Sequence, residues 1–156
     1  MTNRQHAVNF PAEGIDAAVA SFIADVVELA GLFRRVADKI ARQEGQTQAR
    51  WYALSVFSED PLTVSQAARR LGTTRQAVQR SADQLTAEGL TIAEPNPDHL
   101  TSPLITLTPK GREVLSRISQ AATRSRQHWL PNPDTAQLEA AHTVVRSLLH
   151  ALREQP

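Results

Sequence analysis

Arg75, Gln76, Gln79 and Arg80 crowd a short stretch of the chain with forked or two-ended hydrogen-bonding groups. A guanidinium presents a planar fork of donors, and a carboxamide sets a donor beside an acceptor. These are the geometries that pair with guanine and adenine edges in the major groove of double-stranded DNA. Such chemistry is recognition rather than catalysis, and it needs a rigid element narrow enough to enter the groove, as a helix is. Thr73 and Thr74 precede the stretch, where a helix start offers backbone N–H groups and a positive dipole end to a phosphate. The spacing assigns Arg75, Gln76 and Gln79 to base edges, and Thr73, Thr74 and Arg80 to the sugar-phosphate backbone.

The flanking sequence supplies that helix and a frame for it. Thr63-Val64-Ser65-Gln66 has the spacing of a capping box, with Thr63 closing the N-terminus and Gln66 returning the bond. Val64, Ala67, Ala68 and Leu71 then fall on one face. Gly72 ends this helix, and Thr73-Thr74-Arg75-Gln76 repeats the capping pattern at once, leaving room only for a sharp turn. In the second helix Ala77, Val78, Ala82 and Leu85 form the expected buried stripe, with Arg75, Gln76, Gln79, Arg80 and Asp83 off it. Gly89 closes the helix. Leu90 to Glu94 and Leu104 to Leu107 read as short strands around the turn residues Pro95-Asn96-Pro97-Asp98. Helix, tight turn, helix and hairpin in that order make a winged helix-turn-helix.

These residues resemble the DNA-binding domain of the MarR family of transcriptional regulators. The likeness runs from Leu62 to Gly111: Thr63 to Gly72 as the first helix, Arg75 to Arg80 in the recognition helix, and Leu107-Thr108-Pro109-Lys110-Gly111 after the wing. It implies a mainly α fold in which a three-helix core and hairpin wing sit between long terminal dimerisation helices. It also implies DNA contacts from Ser65 and from His99, Thr101 and Ser102 of the wing. Many relatives carry arginine at the wing tip, where this chain has Leu100-Thr101.

At 156 residues, 41% of them hydrophobic, the chain is long enough for one domain with its own core. We expect a single domain over 1–156, with the DNA-binding lobe at 47–108. Zero cysteines exclude disulfides, thiolate metal sites and thiol redox sensing. No apolar run approaches the ~18 residues of a membrane span, and the first dozen residues lack a signal-peptide core, so a soluble, cytoplasmic protein is expected. The formal net charge is only +1, but arginines gather in the middle and later chain while Asp16, Asp25 and Glu28 come early. A basic face is compatible with that near-neutral total.

Met1 to Ala12 is expected to be a loose arm. From Ile15 the apolar residues Val19, Phe22, Val26, Leu29, Phe33, Val36 and Ile40 advance by alternating steps of four and three, a heptad seam. A helix over 14–45 would run ~45 Å at 1.5 Å per residue, too long for a domain of this size to cover alone. A second seam, Leu138, Ala141, Val145, Leu148 and Leu152, lies in the second of two helices spanning 110–154. The two seams together predict a homodimer whose interface includes Ile15, Val19, Phe22, Leu138, Val145, Leu148 and Leu152. Between them Thr47 to Ser58 reads as a short helix with Trp51 and Leu54 on one side, Trp51 as core. The resemblance adds another possibility, a cleft for a small aromatic or lipophilic effector at Trp51 or Tyr52.

Catalytic and cofactor chemistry finds no nominee. The five histidines, His6, His99, His128, His142 and His150, have no zinc-ligand spacing, so no metal is expected. There is no phosphate-binding glycine loop and no nucleophile elbow. Two rival readings remain, a winged-helix dimer whose partner is a protein and a small helical enzyme. The first predicts salt-insensitive DNA binding; the second requires a pocket of convergent titratable groups.

Overall fold

The computed structural model describes residues 14–99 and 101–154. The N-terminal arm, Leu100 and the side chain of Ile15 lie outside the described residues. In chain order the elements are α1 (Ile15–Arg42), α2 (Gln48–Glu59), α3 (Val64–Leu71), α4 (Arg75–Ala87), β1 (Thr91–Glu94), β2 (Leu104–Leu107), α5 (Pro109–Trp129) and α6 (Thr135–Arg153). They form two compact units whose boundary, between Gln120 and Ala121, falls inside α5.

In the first unit the core is assembled from the end of α1 through the first half of α5. Leu54, Phe57, Leu85, Leu90 and Ile118 are its largest fully buried side chains. Local chemistry fixes the helix starts. The Thr47 hydroxyl accepts the Arg50 N–H at the head of α2, and Thr63 with Gln66 makes the expected reciprocal box on α3. Gly72 takes the left-handed conformation, φ 62°, that lets Thr73 N–H turn back to Ala68 O at 3.1 Å.

That last bond corrects the expected start of the next helix. Thr73 is still finishing α3, so the cap is Thr74, whose hydroxyl accepts Ala77 N–H at 3.2 Å. With alanine three positions after the cap, no side chain returns the bond. The buried stripe of α4 is Val78, Ser81, Ala82 and Leu85; Ala77, expected in it, is exposed. Ser81 is buried in its place, its hydroxyl satisfied by Ala77 O at 3.2 Å.

β1 and β2 pair antiparallel, Thr91 opposite Leu107 and Glu94 opposite Leu104. Leu62 adds an isolated bridge to Ile105, through Leu62 N–H to Ile105 O at 3.3 Å and Ile105 N–H to Leu62 O at 2.8 Å. The hairpin is thereby tied to the segment that leads into α3. Thr108 caps α5 by accepting Gly111 N–H at 3.0 Å, with Pro109 at the first helical position. Gly111 itself is buried against the Leu90 carbonyl, and a Cβ there would lie 1.9 Å from that oxygen.

α1 is apolar but largely uncovered: Val19, Phe22, Ile23, Val26, Val27, Leu29, Leu32, Phe33 and Val36 are all exposed, and burial begins only at Ala37. In the second unit Asp134 caps α6 through Ala136 and Gln137 N–H. No described residue of α6 is buried, and Leu138, Val144, Val145, Leu148, Leu149 and Leu152 are exposed. Among the described residues no helix is long and apolar enough to cross a membrane.

Candidate nucleic-acid interface

α4 is held on its inner side and open on its outer. Counting about 100° per residue from the stripe of Val78, Ala82 and Leu85, the polar side chains most nearly opposite are Gln76, Arg80 and Asp83. Gln79 and Arg75 lie toward one flank. All five are exposed. This phase brings Arg80 beside Gln76 at the centre of the outward face. Gln79 Nε2 donates to Asp83 Oδ1 at 2.8 Å, which steadies the amide. Neither Arg75 nor Arg80 makes an ion pair among the described residues.

The wing turn is pinned by one amide. Asn96 is buried; its Nδ2 donates to Ser102 O at 2.8 Å and its Oδ1 accepts Asp98 N–H at 3.1 Å. Between this turn and α3 lies a groove of about 590 Å³, lined by Thr63, Ser65, Gln66 and Arg69 on one side and Asn96, Asp98, His99 and Ser102 on the other. Three residues expected to contact DNA, Ser65, His99 and Ser102, thus share one concavity. Thr101 is exposed and does not line it.

A second groove, of about 350 Å³, backs onto α4. Arg34, Gln48, Ala49, Tyr52 and Ala53 form one wall and Leu71, Thr73, Ala77, Val78 and Ser81 the other. It accounts for the exposure of Ala77, which faces this space. Of the two aromatic residues expected near an effector, Tyr52 lines the groove. Trp51 does not; it is half-buried on α2 and not in the core as expected, its ring centroid 5.6 Å from that of Tyr52. Thr73 stands on the same wall, so it is shared between this groove and the head of α4.

The C-terminal end of α4 is fastened by a polar cluster that no local pattern announced. Arg50 of α2, its side chain only 11% exposed, pairs with Glu88. Gln46 Nε2 reaches the same carboxylate at 3.2 Å, and Lys110 Nζ donates to Glu88 O at 2.9 Å. The Arg50 guanidinium, with help from Gln46, holds the Glu88 carboxyl below its ordinary pKa range against the opposing pull of desolvation. Among the described residues no group of three or more His, Asp or Glu side chains is placed to hold a metal ion.

Comparison with known proteins agrees with this arrangement. The MarR family model matches residues 44–99, the span of α2, α3, α4 and the first strand of the wing. An uncharacterized protein of Mycobacterium bovis is 48% identical over 137 residues, covering 88% of this chain and 96% of the relative. The crystal structure of a MarR family transcriptional regulator from Streptomyces coelicolor superposes with a TM-score of 0.73 at 24% identity, over 90% of this chain and 98% of that one. The Staphylococcus aureus MarR in complex with salicylate and kanamycin gives a TM-score of 0.79 at 15% identity, over 91% and 97%. With its capped tandem helices, wing and outward-facing Arg and Gln, residues 44–99 form a winged-helix domain of the MarR family, and the chain as a whole has the fold of that family's transcriptional regulators.

Proposed function

We propose that the protein is a ligand-responsive repressor that acts in the cytoplasm as a homodimer on a pseudopalindromic operator. The observation that carries the DNA-reading part is the face of α4: Gln76 and Arg80 opposite the buried stripe, Arg75 and Gln79 together on one flank, all exposed on a helix fixed at both ends. Gln76 and Arg80 enter deepest and read base edges with Arg75 and Gln79, each bidentate pair discriminating by about 1–3 kcal/mol. Thr73, Thr74 and Ser65, with His99, Thr101 and Ser102 of the wing, position the lobe on the backbone. Binding-site selection on wild type and on Gln76→Ala, Gln79→Ala and Arg80→Ala tests this. Each variant should relax the preference at particular operator positions. Variants that lose affinity while selecting an unchanged motif would show that these side chains do not read bases.

Dimerisation is supported by the exposed seams, Val19 and Phe22 on α1 and Leu138, Val145, Leu148 and Leu152 on α6, with Ile15 extending the first by sequence. Two recognition helices enter successive major grooves only when about 34 Å apart, so anything that alters lobe spacing alters affinity. The groove behind α4 is the seat for a small aromatic or lipophilic effector. Tyr52 and Leu71 offer it apolar surface and Arg34 a cation, and Ala77 and Ser81 place it directly against the recognition helix. The salicylate complex of the staphylococcal protein supports this class of ligand. Salicylate should weaken operator binding by wild type and not by Tyr52→Ala; equal responses would remove Tyr52 from the site.

A further inference from the structure

We propose that the groove between α3 and the wing turn seats a DNA phosphate, and that Arg69 of α3 supplies its cation in place of the wing. The proposal rests on the DNA-binding reading and adds a residue and a site to it. From Thr91 to Leu107 the sequence holds no lysine or arginine and two carboxylates, Glu94 and Asp98. A hairpin of that charge repels a polyanion at distances up to the Debye length, ~8 Å at physiological salt. Yet its turn is rigidly built around buried Asn96 and faces α3 across a concavity of about 590 Å³. A wing that only avoided DNA would have no need of a fixed, concave flank.

Arg69 is the one lysine or arginine lining that groove, it is exposed, and no ion pair holds it among the described residues. Its neighbour Arg70 is already committed, to Glu59 at 3.2 Å and Asp60 at 3.2 Å. The helix end offers little alternative, because the Thr63 and Gln66 side chains are spent on their reciprocal box. Arg69, with the Ser65 hydroxyl a turn earlier, is therefore the donor set, and a guanidinium suits a phosphate bidentately. Asp98 on the opposite wall works against the anion. Arg69 attracts and Asp98 opposes, so their balance sets the sequence-independent part of the affinity.

Salt titrations of binding to a mixed-sequence duplex and to the duplex selected by wild type test the proposal, using wild type, Arg69→Ala, Arg69→Lys and Asp98→Asn. Because Arg69 is exposed, melting temperatures should match and confirm intact folds. Arg69→Ala should weaken binding about tenfold on both duplexes and flatten the slope of log K against log salt by about 0.9, the loss of one phosphate contact. Arg69→Lys should keep the slope, and Asp98→Asn should tighten binding severalfold. Unchanged affinity and slope in Arg69→Ala, with DNA binding intact, would overturn the proposal. So would a loss confined to the selected duplex, which would make Arg69 a base reader. Failure of wild type to bind either duplex would instead bring down the DNA-binding reading beneath it.

Discussion

The middle of the chain and its two ends solve the same problem of apolar surface in opposite ways. Every buried apolar side chain among the described residues lies between Ala37 and Ile118, while every exposed large one except Tyr52 and Ile92 lies outside that span. The winged lobe closes a core with its own helices, and α1 and α6 carry seams of valine, leucine and phenylalanine that it leaves uncovered. Exposed apolar patches of that extent mark interaction surfaces in soluble proteins. The lobe thus closes its own core, while the apolar side chains of the terminal helices stand exposed, where we propose that a second copy meets them. A perturbation of one region should consequently be readable separately from a perturbation of the other.

The largest expected effect lies in the seams. Leu148→Glu places a charge where we propose that two copies meet, and each copy loses a leucine whose burial contributes roughly 1.5–3 kcal/mol. The dimer should weaken by about three orders of magnitude, measured by sedimentation equilibrium, while the unfolding of the lobe changes little. An equally large drop in lobe stability would break the separation of the two regions.

How much of this was legible in the residues follows from the range of the interactions involved. The capping box of Thr63 and Gln66, the stop at Gly72 and the strands are local, and each was readable from a few adjacent positions. The head of α4 was misread by one residue because Thr73 N–H is claimed by Ala68 O, a bond that belongs to the preceding helix. Ala77 has the type and spacing of a core residue and is exposed because α2 leaves a groove opposite it. The Leu62 bridge to Ile105 and the hold of Arg50 on Glu88 join segments far apart in sequence, and no periodicity carries such pairings. The polar side chains of α4 were legible as residue types; which of them stand opposite the buried stripe depended on the stripe itself, which holds Ser81 and not Ala77.

Within the lobe, Gly111→Ala should cost about 1–3 kcal/mol, because α5 must move away from the Leu90 carbonyl to make room. Chemical denaturation would show it, and sedimentation of the folded variant should still report the wild-type assembly. A variant as stable as wild type would mean that the contact of α5 with the loop after α4 is looser than the geometry indicates.

The smallest effect belongs to Glu88, a half-exposed partner of Arg50, for which a pair of this kind contributes about 0–1 kcal/mol. Its folded pKa is lowered, so the contribution is fully present above the ordinary carboxyl value of 4.5 and is lost as pH falls through the folded value below it. Glu88→Gln should therefore lower the melting temperature slightly at neutral pH and converge with wild type in acid. A gap that stays constant down to the acid limb would argue that Glu88 acts by packing and not by charge.

The central claim is that one region reads DNA and the other pairs the readers. Sedimentation velocity of the protein with the duplex it selects, across a salt series, addresses both halves at once. Two chains per duplex are expected, with half-site centres about one helical turn apart and affinity falling steeply as salt rises. One chain per duplex, or binding indifferent to salt, would contradict it.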